Sequence, residues 1–407
     1  MKKKMLAWAN RSGIFCFLDN QDYSIQPHRY DCLLAVGVKN FVSPGKISDI
    51  DHFLVHNPGG VFGHLGYDLK NEIHGLSSSK KNLVGFPDFF FFQPQSLLRI
   101  NGDELFIEAD DATEVYNEII QCTDVVTAKP GVKLKQKLSH DAYIENIAQL
   151  QKHILRGDCY EINFCNEFYA CPATIDPVSV FFQLISLSPN PFSALYKLDD
   201  KFLVCASPER YLMKKKDIIL SQPMKGTIRR DVFNEEHDNQ LKNELEASAK
   251  DQSENVMVTD MVRNDLSQIC VRSSVHVNEL FGIYTYPHVH QMISTISGKL
   301  EHGTMFSEIL KATFPMGSMT GAPKLRVMEL IEQNEVSSRG IFSGAVGYFD
   351  PDGDFDFNVV IRSIMYNATE KYLSYQVGSG ITFYSDPEKE WDECLLKGEA
   401  MKKVLGY

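Results

Sequence analysis

From Phe192 to Leu220 the sequence leaves little choice of conformation. Four short runs, Phe192–Leu198, Lys201–Ala206, Arg210–Lys214 and Asp217–Leu220, are separated by only two or three residues each. Connections that short join antiparallel neighbours and cannot hold a crossover helix, so the segment predicts a β-meander. Ile14–Leu18, Leu33–Val38 and Phe89–Phe92 are apolar runs bounded by turn residues, and they predict a β-rich N-terminal third. The glycines of the 59–68 segment lack the spacing of a nucleotide loop and predict close backbone packing instead. Near the C-terminus, Ile341–Phe349, Phe355–Met365 and Tyr372–Gly378 predict three more strands, with Arg362 inside the middle one.

Helical spacing interrupts these strands in a few places. Ser139 can cap a helix whose Tyr143, Ile147, Leu150 and Ile154 share one face, and Gly157 ends it. Cys159–Phe164 then alternates as a strand, with Glu161 and Asn163 on one side. Residues 234–250 predict a charged, exposed helix, and Asp251 begins another that reaches about Leu266. A last helix starts near Pro387. Residues 111–138 are polar and end in a basic run, which predicts a boundary between an N-terminal β-rich unit (1–135) and a core (136–407).

Composition narrows the partners. The chain has 407 residues, 43% of them hydrophobic, and a net charge of −12. That is enough apolar material for a large core, and the acidic balance argues against a nucleic-acid partner. No apolar run is long enough to span a membrane, and the basic start breaks at Asn10-Arg11-Ser12-Gly13 before it can form a secretory signal. Nine scattered cysteines without a C-x-x-C pair fit a reducing cytoplasm.

Three stretches carry chemistry. Pro223-Met224-Lys225-Gly226-Thr227 holds a lysine between two residues that shape the backbone. Lys225 is either a surface lysine in a tight turn or a nucleophile presented into a pocket. Ser207-Pro208-Glu209-Arg210 puts a glutamate at a strand end, as a solvated turn residue or as a rigidly held general acid. Gly317–Lys324 is a Gly/Ser/Thr loop entering a helix, with Pro323 suited to the first helical position; such a loop caps the helix or offers N–H groups to an anion. Two helices add carboxylates. Asp251 and Glu254 lie at i and i+3, followed by Asp260, Arg263, Asn264 and Asp265. Glu390, Glu393 and Lys397 share a face of the last helix. Both sets read as ion-pair networks or as metal-facing carboxylates.

Taken together and in this order, these motifs resemble the chorismate-utilising enzymes: the anthranilate, aminodeoxychorismate, isochorismate and salicylate synthases. The match runs from about residue 139 to the C-terminus. It also includes Val262-Arg263-Asn264-Asp265-Leu266, Gly340–Tyr348 and Glu390-Trp391-Asp392-Glu393. The resemblance implies an α+β fold of two antiparallel sheets packed face to face with flanking helices. It implies chorismate bound between the sheets over a Mg²⁺ ion held by Glu254 and Glu393, with Asp251 and Glu390 beside them. It assigns Arg362, Lys397 and the backbone of Gly378 and Gly380 to the substrate carboxylates, and places Ser318, Thr320 and Thr227 in the substrate site. Glu209 matches the general acid.

Lys225 matches the lysine typical of the aminodeoxychorismate synthases, as does the G-S-x-T-G order at Gly317–Gly321. The resemblance therefore implies amination of chorismate to 4-amino-4-deoxychorismate, on the route to para-aminobenzoate and folate. Lys225 would attack the ring as a neutral amine, its pKa lowered by Mg²⁺ and arginine charge. Ammonia would come from a separate glutamine amidotransferase subunit, since no catalytic-cysteine glutaminase region is read here. The alternatives are anthranilate synthase component I and a non-catalytic chorismate-binding subunit. Three positions depart from the pattern: Glu161 where glutamine is common, Gln291 where histidine is frequent, and Phe342 where many members have tyrosine.

Overall fold

The computed structural model describes residues 1–23, 27, 30–43, 45–123 and 129–406. Among these, two antiparallel sheets of eleven and ten strands form the framework. The 192–220 meander divides between them. Phe192–Leu198 and Lys201–Ser207 are neighbours in the larger sheet, while Arg210–Lys215 and Ile218–Gln222 are neighbours in the smaller one. Glu209 lies at the point where the chain passes from one sheet to the other.

Period-two alternation accounts for the layering. Cys16, Leu33 and Ala35 point into a core shared by the two sheets, whereas Phe15, Phe17 and Leu34 point to the opposite face. That outer face packs against the helices His140–Leu155, Pro177–Leu187 and Pro387–Val404. The phenylalanine run Phe89–Phe92 lies in the smaller sheet, and Phe91 meets Phe306, Phe349 and Phe357 edge-on. Gly63 permits this strand to approach its neighbour, because a Cβ there would stand 2.0 Å from the Phe90 carbonyl oxygen. Strands from both sides of residue 135 enter both sheets: Ile14–Asp19 pairs with Phe192–Leu198, and Val61–Leu65 with Ala345–Phe349.

Within the polar stretch 111–138, Asp111 caps a helix over Ala112–Gln121, which buries Ile119, and Lys135–Gln136 of the basic run is an exposed strand of the larger sheet; residues 124–128 lie outside the described residues. Three local expectations are corrected. Phe355–Met365 is not one strand. Phe355–Asn358 belongs to the smaller sheet and Ser363–Asn367 to the larger, and Arg362 turns between them at φ +52°. Pro323 is the cap, not the first residue, of the helix Lys324–Asn334, because Gly321–Ala322 first pairs with Glu161–Ile162. Lys225 lies not in a turn but in the strand Met224–Arg229.

Candidate active site

Lys225 owes its position to a bulge. Met224 pairs with Ile293 and Thr227 with Gln291, so the register slips between them. Gly226 absorbs the slip at φ +86°, in the left-handed region that favours glycine. The irregularity turns Lys225 inward across the gap between the sheets. Its Nζ stands 2.5 Å from Glu161 Oε1 and 3.8 Å from Glu254 Oε2. Burial disfavours the ammonium, yet Glu161 and Glu254 more than offset this and hold Lys225 above the ordinary lysine range. The resting amine is therefore charged, contrary to the expectation of a lowered pKa. The opposing force is Glu161, the residue that departs from the family pattern.

Glu209 and Glu254 face the same charge from other elements. Burial pushes the Glu209 carboxyl up to about 7, tempered by Ser318 and by Lys225. The Ser318 hydroxyl is buried and makes no well-aligned hydrogen bond of its own. Burial likewise raises Glu254 to about 7, against the pull of Lys225 and with Glu161 adding to the rise. One carboxyl near Lys225 is thus suited to carry a proton at neutral pH, as an acid poised near its operating pH requires.

The last helix supplies the other wall. Lys397 Nζ lies 2.7 Å from Glu393 Oε1 and donates to the Gly378 carbonyl at 3.1 Å. Lys397 holds Glu393 down to about 2. Arg362 donates to the Lys397 carbonyl at 3.2 Å. Burial lowers its pKa, partly offset by Glu393, and it remains a cation. Lys250, which the sequence reading did not single out, reaches Glu254 at 3.9 Å and Glu390 at 3.8 Å. Its i, i+4 spacing to Glu254 was the available signal. Gly380 closes the floor: a Cβ there would meet Glu161 Oε1 at 2.4 Å and Lys225 Nζ at 2.8 Å.

This donor set fits a hard divalent cation. Glu390 Oε2 and Glu161 Oε2 are buried without a hydrogen-bond partner, and Glu254 is raised by neighbouring carboxylates as well as by burial. Buried carboxylate oxygens without a donor are what Mg²⁺ takes. Among the described residues no group of three or more carboxylates is already drawn together around one point; Lys250 and Lys397 lie between them. Lys250 is 59% exposed and free to swing aside. Asp251 stands a step away, its Oδ2 accepting from the Ser248 hydroxyl at 2.5 Å at the helix cap.

The Gly317–Gly321 loop is held by three successive carbonyls. Asn163 Nδ2 donates to the Ser318 oxygen at 3.2 Å, Arg339 Nη1 to the Met319 oxygen at 2.7 Å, and the Asn163 N–H to the Thr320 oxygen at 2.7 Å. Arg339 also donates to the Asn163 carbonyl and pairs with Glu335 at 2.6 Å, all of it buried. The Thr320 hydroxyl donates to Met316, whereas the buried Ser318 hydroxyl lies beside Glu209. Sequence reasoning missed Arg339 and Glu335, whose i, i+4 spacing looks like any helix-surface pair. Thr227, by contrast, is exposed beyond the bulge, and no contact brings it to the group. His290 hydrogen-bonds Thr285 and Asp238, so it does not take the role of its neighbour Gln291. Gln291 and Phe342 are both buried.

A buried lysine among carboxylates, a carboxyl raised to about 7, and the cations Arg362 and Lys397 stand together between two antiparallel sheets, an arrangement able to bind an anion and move a proton. The family model for chorismate-binding enzymes matches residues 22–403. The chain belongs to this family. It is 34% identical over 370 residues to the chloroplastic aminodeoxychorismate synthase of Arabidopsis thaliana, a match covering 84% of this chain and 40% of that protein. It is 30% identical over 376 residues to aminodeoxychorismate synthase component 1 of Bacillus subtilis, covering 88% and 79%. It is also 30% identical over 363 residues to anthranilate synthase component 1 of Saccharolobus solfataricus, covering 89% and 83%. The chain therefore spans less than half the length of the plant relative. Among solved structures, anthranilate synthase component I from Streptococcus pneumoniae superposes with a TM-score of 0.81 at 22% identity, covering 93% of each chain. That likeness bears out the expected α+β fold.

Proposed function

We propose that the protein is the synthase component of an aminodeoxychorismate synthase, converting chorismate and ammonia to 4-amino-4-deoxychorismate and water. The observation that carries this reading is Lys225, aimed between the sheets at 2.5 Å from Glu161 and coupled to Glu209. Relatives named aminodeoxychorismate synthase support it at 30–39% identity. The product would feed para-aminobenzoate synthesis in the cytoplasm, and ammonia would come from a separate glutamine amidotransferase subunit.

Arg362 and Lys397 bind and orient the substrate carboxylates. Glu254, Glu390 and Glu393, with Asp251 alongside, would hold a Mg²⁺ ion, whose chemistry would be charge neutralisation at the ring carboxylate. Glu161 accepts the proton of Lys225 across their short hydrogen bond and frees the amine. The Lys225 nitrogen then bonds to the ring, while Glu209 gives its proton to the departing hydroxyl, which leaves as water. Ammonia displaces the lysine nitrogen, its extra proton passes to Glu209, and Glu161 returns its proton to the freed Lys225 amine. Ser318, beside Glu209, orients the acid.

Incubation of the purified chain with chorismate, Mg²⁺ and excess ammonium, followed by product separation, tests this. 4-Amino-4-deoxychorismate is expected. Anthranilate would reassign the site to the other aminating reaction, and binding without turnover would leave a chorismate-binding subunit.

A further inference from the structure

A second cavity, of about 240 Å³, lies at the far end of the strands that carry Glu161 and Gly380. Four cations line it, Lys80, Lys81, Lys137 and Arg339, against a single carboxylate, Glu167. Arg339 is matched by Glu335, and Lys80 by Glu332 at 3.0 Å. Lys81 and Lys137 form no ion pair among the described residues; Lys137 sits 4.4 Å from the centre of the Tyr169 ring. Glu167 is engaged by the Tyr372 hydroxyl at 2.9 Å. The wall thus carries two lysines without an ion-pair partner and one carboxylate, Glu167, that is hydrogen-bonded but not ion-paired, which leaves it with a net positive charge.

The hydroxyls point the same way. Ser337 and Ser374 both line this cavity, and the Oγ of each is buried with no hydrogen-bond partner. Ser374 is wholly buried in the strand Tyr372–Ile381. A buried hydroxyl without a partner destabilises the fold, so two of them beside lysines without ion-pair partners mark a place where a ligand supplies the acceptor. Nothing in the substitution reaction uses these groups.

We propose that this cavity binds a small anion, through a carboxylate or phosphate group held by Lys81 and Lys137 and by the hydroxyls of Ser337 and Ser374. The volume limits the ligand to a compact metabolite, below the usual range of about 300–1,000 Å³ for drug-sized sites. Arg339 lines this cavity and also holds the Met319 carbonyl, so the ligand would sit one side chain from the catalytic loop.

The test is titration of the full chain with inorganic phosphate and, separately, succinate, at low salt and read by calorimetry. Saturable 1:1 binding of either is expected, and which one binds identifies the group recognised. Lys137→Ala should weaken it about tenfold and Ser374→Ala about threefold, with unchanged melting temperature. Binding should persist in Arg362→Ala, which separates this site from the chorismate pocket and makes the result independent of the reaction catalysed. No saturable binding of either anion would overturn the proposal. So would undiminished binding in both Lys137→Ala and Ser374→Ala, or loss in Arg362→Ala alone.

Discussion

Gly380 and Lys225 compete for one volume. A Cβ at position 380 would stand 2.8 Å from Lys225 Nζ and closer still to Glu161 Oε1. The lysine's geometry is therefore set from three directions: by the bulge at Gly226, by the carboxylate of Glu161, and by a missing side chain on the neighbouring strand. Gly380→Ala is expected to push the ammonium and carboxylate apart. A displacement of about 1 Å at a reacting group costs roughly a hundredfold in turnover. Steady-state kinetics should show that loss in kcat, with the circular dichroism spectrum unchanged.

Glu209 predicts a pH dependence with a definite sign. Its folded-state pKa is raised to about 7 from an ordinary value of 4.5. The acid form is the one that donates, so kcat/KM should fall as pH rises through about 7. Glu209→Gln should lower turnover roughly 10²–10⁴-fold and remove that limb of the profile.

The same shift is a statement about stability. A carboxyl with a raised folded pKa favours the folded state below its unfolded pKa, and that contribution is lost as pH rises through about 7. Glu209→Gln removes a buried group that must ionise. At pH 8 the variant should be more stable than the native chain, by about 1–3 kcal/mol, and at pH 4 the two should be nearly equal. Urea unfolding at the two pH values measures this.

How much of this was legible in the sequence differs residue by residue. The alternation at Cys159–Phe164 put Glu161 and Asn163 on one face, where Glu161 meets Lys225 and Asn163 holds the Ser318 carbonyl. The identity of Lys225 was readable, but its protonation state was not, because that depends on Glu161, 64 residues distant in sequence and on a strand of the other sheet. Arg362 was read into a continuous strand, since apolar alternation does not register a change of sheet. Lys250 looked like one more charge on an exposed helix. Arg339 and Glu335 were invisible as a pair that fixes a loop, because i, i+4 spacing does not tell a buried bridge from a solvated one.

That buried pair makes a separate prediction. Arg339 ties the Met319 and Asn163 carbonyls and both Glu335 oxygens. Removing one partner of such a pair leaves an uncompensated buried charge and costs about 3–5 kcal/mol. Arg339→Met should show a loss of that order in chemical denaturation. Arg339→Lys should recover only part of it, since an ammonium cannot reproduce the planar fork.

For the divalent cation, Mg²⁺ added to the chain without substrate should raise the melting temperature, because a ligand that binds only the folded state stabilises it. Glu390→Gln should abolish most of that shift. An unchanged melting temperature in the native chain at saturating Mg²⁺ would remove the ion from Glu254, Glu390 and Glu393.

The central claim is that Lys225 bonds to the ring before ammonia arrives. It is tested most directly by intact-protein mass spectrometry after incubation with chorismate and Mg²⁺ in the absence of ammonium. The account predicts a covalent adduct on the native chain, of chorismate mass less one water, that maps to Lys225, disappears on adding ammonium and never forms on Lys225→Ala. A native chain that stays unmodified while ammonium-dependent amination proceeds, or Lys225→Ala with undiminished turnover, would contradict it.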